Sequence, residues 1–268
     1  WVQCARHSQR SRGVAMEIAS AAAELDNATS SASAIPQLSA NQGFDLDAAY
    51  RIQAAGIKRR LDRGETRAGA KMGLTSRAKA AQMGVDDVIY GRLTDAMLVE
   101  DGGTADAKAF IHPRVEPEIA FLLDAPLAGN LSPAQAYRAV AAVAPALEII
   151  DSRYADFKFS LTDVVADNCS AAGYVVGPWC RPDIDVANLG MVLEFNGRPV
   201  QIASSAAILG HPMRSLAAAA RLAVASGEQL EAGWILLAGG STAAETLTAG
   251  TTVQLCVERL GKVGFTIS

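Results

Sequence analysis

The chain of 268 residues has little of what several protein classes need. Only 6% of its residues are aromatic, the formal net charge is -4, and no basic stripe interleaved with aromatic residues is present. No apolar run approaches the length that spans a bilayer. The G-x-G-x-x-G pattern of dinucleotide-binding folds is also missing. These absences argue against a nucleic-acid partner, a membrane protein and a Rossmann fold.

Cysteine and histidine are scarce as well. The chain has four cysteines without a C-x-x-C pair and three histidines, so a zinc site is not expected. Cys169 and Cys256 lie among apolar or small residues and are interpreted as small core residues. This cysteine pattern predicts a reducing, cytoplasmic location.

The length of the chain allows one large domain, or one domain with an appendage. Half of the residues are apolar, which is enough for a substantial core. Residues 1–15 contain three arginines but no apolar segment of the kind found in secretory signals, and we expect them to be an extension outside the fold. Residues 16–65 are predicted to be a helical N-terminal region and residues 66–268 a catalytic β-roll domain.

Local signals give the elements of these regions. We expect a short helix from Val14 to Glu24, a loop over 27–41, and a helix that begins at Asp45 or Asp47 and ends near Arg63. Further helices are predicted from Ser76 to Met83, from Ser132 to about Val143, from Thr162 to Asn168 and from Pro212 to Gly227. Hairpins are predicted at Asn196-Gly197 and near Gly261-Lys262. Strands and helices do not alternate regularly, so we predict an α+β fold built on a mixed β-roll.

The segment from Arg114 to Leu123 carries two carboxylates, Glu116 and Glu118, before an apolar run. Residues two apart in a strand point to the same face. Glu148 lies in a second apolar run. Three carboxylates from two strands, with water completing the shell, suit a hard divalent cation such as Mg²⁺ or Mn²⁺. The spacing alone also fits solvated strand faces with Arg114 and Arg153 as surface partners.

Lys71 lies in a glycine-flanked segment, Gly69 to Gly73, that is predicted to be a strand. A lysine in this setting could be buried and functional. The alternative is a surface lysine whose alkyl stem covers apolar area while its ammonium stays in water.

Several longer motifs occur in a characteristic order. They are Lys71–Ser76, Arg114–Phe121, Glu148–Arg153, Val165–Asn168, Leu209–Pro212 and Ala238–Ala244. Together they resemble the 2-oxopent-4-enoate hydratase and 4-oxalocrotonate decarboxylase family, within the fumarylacetoacetate hydrolase superfamily. The resemblance covers the chain from about Asp45 to the C-terminus.

The resemblance implies a mixed β-roll of the fumarylacetoacetate hydrolase C-terminal type and a Mg²⁺ or Mn²⁺ site. By motif position, Glu116, Glu118 and Glu148 would bind the metal, and Lys71 would be the cation beside the substrate. Its two activities are decarboxylation of 2-oxohex-3-enedioate (4-oxalocrotonate) in meta-cleavage catabolism of aromatic compounds, and hydration of 2-hydroxypenta-2,4-dienoate.

Three features favour the decarboxylase. The stretch 156–168 and His211 are similar to the decarboxylase version, and Ile89 stands where hydratases commonly carry an acid. Adding water needs a positioned acid or base, whereas losing CO₂ does not at the bond-breaking step. A fumarylpyruvate-type hydrolase and an inactive partner subunit are further alternatives. The hydrolase would need a base such as a His-Glu pair, and His112 has no obvious partner.

The resemblance also supplies candidates on the substrate side. Lys71, Asp95 and Arg153 are the candidate catalytic residues, and Leu74, Ser170 and Thr242, again with Lys71, are the candidate substrate contacts. The cations that could neighbour the departing carboxylate are Arg153, Lys158 and Arg77, with surface positions as the alternative. The implied partners are a small dicarboxylate 2-oxo acid, a hydratase that takes the unstable product, and further copies of the chain in a homo-oligomer.

Overall fold

The structure is a computed structural model that describes residues 2–40, 43–76 and 87–268, with side chains from residue 17 onward. Arg77 and the predicted helix after Ser76 lie outside the described residues. The helices are α1 (Val2–Ser31), α2 (Leu46–Asp62), α3 (Pro133–Tyr137), α4 (Leu161–Ala166) and α5 (Met213–Ala225). Among the described residues, no helix combines the length and the apolar character needed to cross a membrane.

The strands form two sheets. They are β1 (Arg67–Gly73), β2 (Ile89–Thr94), β3 (Thr104–Ala105), β4 (Arg114–Leu123), β5 (Val140–Ile150), β6 (Ala171–Val176), β7 (Gly190–Phe195), β8 (Arg198–Ser204), β9 (Ile235–Leu237), β10 (Glu245–Thr246), β11 (Thr251–Val257) and β12 (Gly261–Ile267). Within the described chain, one sheet has the order β2-β1-β9-β4-β5-β6 with β10 beside β4, and the other has β3-β12-β11-β7-β8. Two pairs, β1 with β9 and β12 with β3, are parallel, so the predicted mixed α+β fold is confirmed.

Strands β4 and β5 pair along almost their whole length, from Arg114 opposite Ile150 to Leu123 opposite Val140. The prediction that the helix from Ser132 runs to about Val143 is therefore wrong, because that helix ends at Tyr137. Val140 and Val143 are buried, and the backbone from Val140 onward supplies the long partner that β4 requires. Pairing with a distant strand overrides local helix propensity here.

The N-terminal region also differs from its prediction. Helix α1 continues to Ser31, although its serine-rich end was expected to be a loop from Asn27. Thr29 Oγ1 donates to the carbonyl of Leu25 and Ser31 Oγ to that of Asn27, at 3.0 and 2.7 Å. These bonds satisfy the hydroxyls within the helix. Helix α1 begins at Val2, so the predicted extension over residues 1–15 and the region after it share one helix. The predicted domain limits stay a prediction.

Local capping and turn signals were reliable elsewhere. Asp45 caps α2, accepting from the N–H of Ala48 at 2.8 Å. Asn196 and Gly197 join β7 to β8 with φ of +52° and +73°. Positive φ at both positions is what a type I′ turn requires. These predictions are confirmed because they depend on neighbours in the chain.

The two faces of β4 differ in what they pack against. Val115, Ile119 and Phe121 belong to the main core, which the second sheet and α5 cover. The opposite face carries Glu116 and Glu118, followed by a small apolar cluster that includes Ala120. The long sheet thus has a core face and a face that holds charged residues.

Candidate metal and active site

Three glutamates converge on the charged face of the β4–β5 pair. Glu116 and Glu148 lie directly opposite each other, and Glu118 lies two residues further along β4. Because residues two apart share a face of a strand, their side chains meet. One oxygen of each carboxylate lies within 4.8 Å of the others. Like charges placed opposite each other destabilise a sheet, so this arrangement needs a compensating cation.

Two buried carboxylate oxygens in this cluster lack hydrogen-bond partners within the described part of the chain. Glu118 Oε1 and Glu148 Oε2 are buried and have no hydrogen-bond partner among the described residues. Burial and the charge of Glu148 raise the pKa of Glu118 well above its ordinary value, and burial likewise raises the pKa of Glu148. A hard divalent cation would bind these oxygens and offset their repulsion. The donor set therefore fits Mg²⁺ or Mn²⁺.

Lys71 lies beside the three acids. Its Nζ is 2.9 Å from Glu148 Oε1 and donates to the carbonyl oxygen of Cys169 at 3.0 Å. Burial alone would lower the pKa of this lysine, but the negative charge of Glu148 and its neighbours raises it above the ordinary value. Lys71 is thus a buried, protonated cation at neutral pH.

Two glycines after β9, Gly239 and Gly240, lie close to Glu118 and Glu116. The N–H of Gly239 donates to Glu118 Oε2 at 2.7 Å, with Gly239 at a φ of +110°. A Cβ on Gly239 would lie 2.2 Å from Thr75 Oγ1, and one on Gly240 would lie 2.4 Å from Glu116 Oε2. Both positions require glycine because backbone approaches the site closely. The sequence motif around them was noted, but this role was not predicted.

The turn before β6 delivers a carbonyl to Lys71. Asn168, Cys169 and Ser170 have φ of +50°, +52° and +58°, a run of left-handed residues that is unusual without glycine. The side chain of Asn168 fixes this turn by accepting from Arg92 N–H and donating to the Arg92 carbonyl, at 2.8 and 2.9 Å. Ser170 Oγ is buried without a partner among the described residues.

The remaining candidate substrate contacts, Leu74 and Thr242, are both half-buried. Leu74 follows β1 with a φ of +57° and is half-buried. Thr242 is half-buried, three residues after Gly239, and donates from Oγ1 to the carbonyl of Ala243 at 2.8 Å. His211 lies at the start of α5, where its Nδ1 accepts from Met213 N–H at 3.1 Å.

Two predicted catalytic residues are not brought to the triad. Asp95 is exposed and accepts from the N–H and Oγ1 of Thr66, at 2.9 and 2.7 Å. Thr66 immediately precedes β1, so it is five residues from Lys71, roughly 16 Å along an extended strand. The guanidinium of Arg153 is buried against Asp167, in a cavity lined by residues of α1 and α2. These positions do not support the expected roles.

A partly buried polar network that contacts β1 and β2 was not predicted. Glu228, beyond the end of α5, pairs with Arg92 at 2.7 Å and with Arg67 at 2.8 Å, and accepts from Tyr90 Oη at 2.5 Å. Burial by itself would raise the pKa of Glu228, but the two arginines lower it below the ordinary value. The network links α5 to β1 and β2, and no local sequence signal marks it.

Sequence comparison finds a matching family model and several similar enzymes. The family model described as fumarylacetoacetate (FAA) hydrolase C-terminal matches residues 63–268. A 4-oxalocrotonate decarboxylase of a Pseudomonas species is 54% identical over 250 residues, which cover 93% of this chain and 98% of that protein. A 2-keto-4-pentenoate hydratase of Paraburkholderia xenovorans is 35% identical over 223 residues, covering 82% of this chain and 83% of that protein.

The chain also closely matches a solved structure. The chain superposes on 4-oxalocrotonate decarboxylase from Pseudomonas putida G7, complexed with magnesium and adipate, with a TM-score of 0.92. The two chains are 36% identical, and the match covers 94% of this chain and 98% of the other. The similarity thus includes the N-terminal helices as well as the sheets.

Proposed function

The chain belongs to the fumarylacetoacetate hydrolase C-terminal family, and we propose that it is a carboxy-lyase that decarboxylates 2-oxohex-3-enedioate to 2-hydroxypenta-2,4-dienoate and CO₂. Its mixed β-roll is the fold of that family. The observation that carries the proposal is the convergence of three acids with a buried lysine. The relative at 54% identity supports the choice of reaction within the family.

Glu116, Glu118 and Glu148 are the residues that would hold Mg²⁺ or Mn²⁺. The bound cation supplies a Lewis acid where negative charge develops on oxygen, an effect worth several kcal/mol of barrier. Gly239 orients Glu118 through its N–H and leaves the other oxygen of that carboxylate available. This agrees with the magnesium named for the structural relative.

The proposed substrate is a vinylogous β-keto acid. When its C5–C6 bond breaks, the electron pair forms the C4–C5 double bond and the C3–C4 pair moves to C2–C3. Negative charge then develops on the C2 oxygen, and C6 leaves as CO₂. The product needs a proton on oxygen alone, so no positioned base is required for bond breaking.

Lys71 supplies positive charge to this reaction. Its Nζ is fixed by Glu148 and by the carbonyl of Cys169, so it does not have to reorganise as charge develops. Preorganised charges in a water-excluded site are worth far more than in water. We assign Lys71 the role of stabilising the C2 oxygen or the C1 carboxylate. Leu74, Ser170 and Thr242 remain proposed substrate contacts.

The alternatives make different demands. A hydratase would use the same acids and then add water at C4, and a hydratase relative is 35% identical. A hydrolase would need a His-Glu pair, but His112 packs on Phe157 and its Nε2 has no hydrogen-bond partner among the described residues. An inactive partner subunit would be expected to lose an acid or Lys71, and all four are present and adjacent.

The chemistry of the product suggests a partner enzyme. Because the dienol is unstable, we propose a hydratase as its partner in the reaction sequence. Two relatives named as hydratases are 36% and 35% identical to this chain. We also propose a homo-oligomer and a cytoplasmic location.

Product analysis with Mg²⁺ tests the proposal directly. The purified protein is given 4-oxalocrotonate in one reaction and freshly made 2-hydroxypenta-2,4-dienoate in another. We expect CO₂ from the first and no hydration in the second. Conversion of the second substrate alone to 4-hydroxy-2-oxopentanoate would make the protein a hydratase.

A further inference from the structure

We propose that Arg114 binds the carboxylate at the far end of the substrate, the group that leaves as CO₂. The inference rests on the proposed function for the identity of the substrate, and on the position of Arg114 for the contact. Sequence spacing had suggested Arg114 only as a surface partner of the acids. The structure gives it a different environment.

Arg114 lies on the same face as the three acids. It is two residues before Glu116 on β4 and is paired with Ile150, just as Glu116 is paired with Glu148. Two residues along a strand correspond to about 6.6 Å. Four bonds separate C2 from C6 of the substrate, and they span about 5 Å when extended. A substrate whose C1–C2 end is at the acids and whose chain follows β4 therefore places C6 near Arg114.

Exposure increases in this direction. Glu118 and Glu148 are fully buried, whereas Glu116 and Arg114 are only half-buried. The open side of the cluster is thus the side of Arg114. A charged ligand that enters from there meets this arginine next to the acids.

The guanidinium of Arg114 has no acidic partner in the part of the chain that the structure describes. Among the described residues, no carboxylate oxygen lies within 4.0 Å of its nitrogen atoms, the limit for an ion pair. The nearby Asp151 is occupied, since its two oxygens accept from the N–H groups of Ile111 and His112 at 2.8 Å each. An arginine that lies on the strand of the proposed metal-binding acids and has no internal counterion is suited to bind a carboxylate of the ligand.

An aromatic side chain holds this arginine in place. The guanidinium carbon of Arg114 lies 4.0 Å from the centre of the Phe157 ring. Phe157 is itself packed against His112 and Phe159, with ring centres 5.2 and 5.6 Å away. Stacking on a ring face leaves the edge of a planar guanidinium free for two parallel hydrogen bonds.

The loop that presents Phe157 is strained. Asp156 and Phe157 have φ of +58° and +57°, a conformation that a bulky residue rarely adopts. Such outliers concentrate at ligand sites, where the surrounding structure maintains them. Together with the stacking, this indicates that the position of Phe157 over Arg114 is built into the fold.

The other described cations suggested for this carboxylate are placed less well. Arg153 is buried in an ion pair with Asp167. Lys158 is exposed and lies 3.5 Å from Asp156. Of these three described cations, Arg114 is therefore the one that lies on the strand of Glu116 and Glu118 and has no acidic partner among the described residues.

The role predicts a particular kinetic signature. The ion pair with Arg114 is strongest in the bound substrate and weakens as C6 becomes neutral CO₂. Losing it removes ground-state binding, which raises KM, and leaves kcat the same or higher. We expect Arg114→Gln to raise KM for 4-oxalocrotonate at least about 10-fold, the loss typical of a charge-assisted hydrogen bond.

Binding of unreactive analogues separates this role from a general defect. Calorimetry with Mg²⁺ compares 2-oxohexanedioate, which has the distal carboxylate, with 2-oxohexanoate, which lacks it. In Arg114→Gln we expect weaker binding of the first by at least about 10-fold and no change for the second. Arg114→Lys should recover part of the loss, and Lys108→Gln, an exposed cation on the approach to β4, should change neither.

Equal weakening of both analogues in Arg114→Gln would contradict the inference, because it would indicate damage to the acid cluster. So would unchanged binding of both, or a loss that follows Lys158→Gln instead. If the wild-type protein discriminates the analogues through Arg114 but releases no CO₂ from 4-oxalocrotonate, the inference stands and the proposed function fails.

Discussion

At the scale of single residues, the site depends on burying two carboxylates beside a third and a lysine. Glu118 and Glu148 are fully buried, and each has an oxygen without a hydrogen-bond partner among the described residues. Leaving such atoms unpaired costs about 1–3 kcal/mol each. Metal binding recovers this energy, so the protein without metal holds its ligands at a cost in stability.

Glu118→Gln tests this balance. The glutamine oxygen can still accept from Gly239 N–H, while one of the repelling charges is removed. We expect the metal-free variant to have a Tm equal to or above that of the wild type. Mg²⁺ should bind more than about 100-fold more weakly, since even outer-shell partners of metal ligands are worth 10- to 100-fold. Thermal unfolding and calorimetry with and without Mg²⁺ measure both. A variant that Mg²⁺ still stabilises fully would contradict the ligand assignment.

Lys71→Met tests the electrostatic role of the lysine. The variant keeps the length and apolar stem but loses the charge that lies 2.9 Å from Glu148. We expect kcat to fall about 100-fold or more, as when one stabilising donor is removed from an active site, while Mg²⁺ binding is retained. Steady-state rates and calorimetry give the two values. Lys58→Met, an exposed lysine on α2, is the matched control and should keep wild-type kcat.

Sequence could predict part of this residue-level picture. The two-residue period of a strand places Glu116 and Glu118 on one face, and a second apolar run identified Glu148 as a third candidate ligand. The contacts of Gly239, Cys169 and Arg114 could not be found in the same way. Gly239 and Cys169 act through backbone atoms, and the position of Arg114 depends on Phe157, 43 residues further along the chain.

At the scale of elements, the turn after β9 is as important to the site as the strands. Gly239→Ala would introduce a Cβ 2.2 Å from Thr75 Oγ1 at a positive φ. Gly250→Ala is the matched control, because that residue also has a positive φ but no atom within 4 Å of the added Cβ. We expect a loss of about 1–2 kcal/mol for Gly250→Ala from backbone strain alone, and a clearly larger loss for Gly239→Ala. Urea unfolding measures both, and equal losses would refute a role for the close contact.

Elements differed in how well sequence predicted them. Asp45 and Asn196-Gly197 were reliable because caps and tight turns are decided by a few neighbouring residues. The alanine-rich segment before Pro145 was predicted as helix and is strand, since its partner β4 lies some twenty residues earlier. The serine-rich end of α1 was predicted as loop, because serine composition does not show that the hydroxyls bond within the helix.

At the scale of the whole molecule, Glu228 joins the end of α5 to β1 and β2 through two arginines and a tyrosine. Its pKa is lower in the folded protein than its ordinary value of 4.5. A carboxyl with a lowered folded pKa contributes stability above its unfolded pKa and loses it as pH falls through the folded pKa. This network therefore contributes to the acid limit of stability.

Glu228→Gln should make the protein less sensitive to acid. We expect the variant to be less stable than the wild type at pH 7 by about 1.5–3 kcal/mol, the range for hydrogen bonds to charged groups. The difference should shrink as pH falls below 4.5, where the unfolded chain takes up a proton, and should be lost as pH falls through the lower pKa of Glu228 in the folded protein. Urea unfolding across pH measures this. Asp62→Asn, in an exposed pair with Lys58, should stay within about 0.5 kcal/mol at every pH, and a difference for Glu228→Gln that does not vary with pH would argue against the network.

The global arrangement was predictable only in class. Irregular alternation of strands and helices indicated a mixed α+β fold, and the motif resemblance indicated its family. The strand order and the parallel pairing of β1 with β9 could not be predicted, since they join residues more than 160 positions apart. That pairing is what places Lys71 beside acids carried by the middle of the chain.

The most direct test of the central claim is CO₂ release from 4-oxalocrotonate by chelator-treated protein as Mg²⁺ is added back. We predict little release without the cation, and release that rises with Mg²⁺ and saturates at one ion per three-glutamate site. Glu148→Gln should show no such rise. Full release from metal-free protein, or a rise that persists unchanged in Glu148→Gln, would contradict the account that decarboxylation depends on a cation held by Glu116, Glu118 and Glu148.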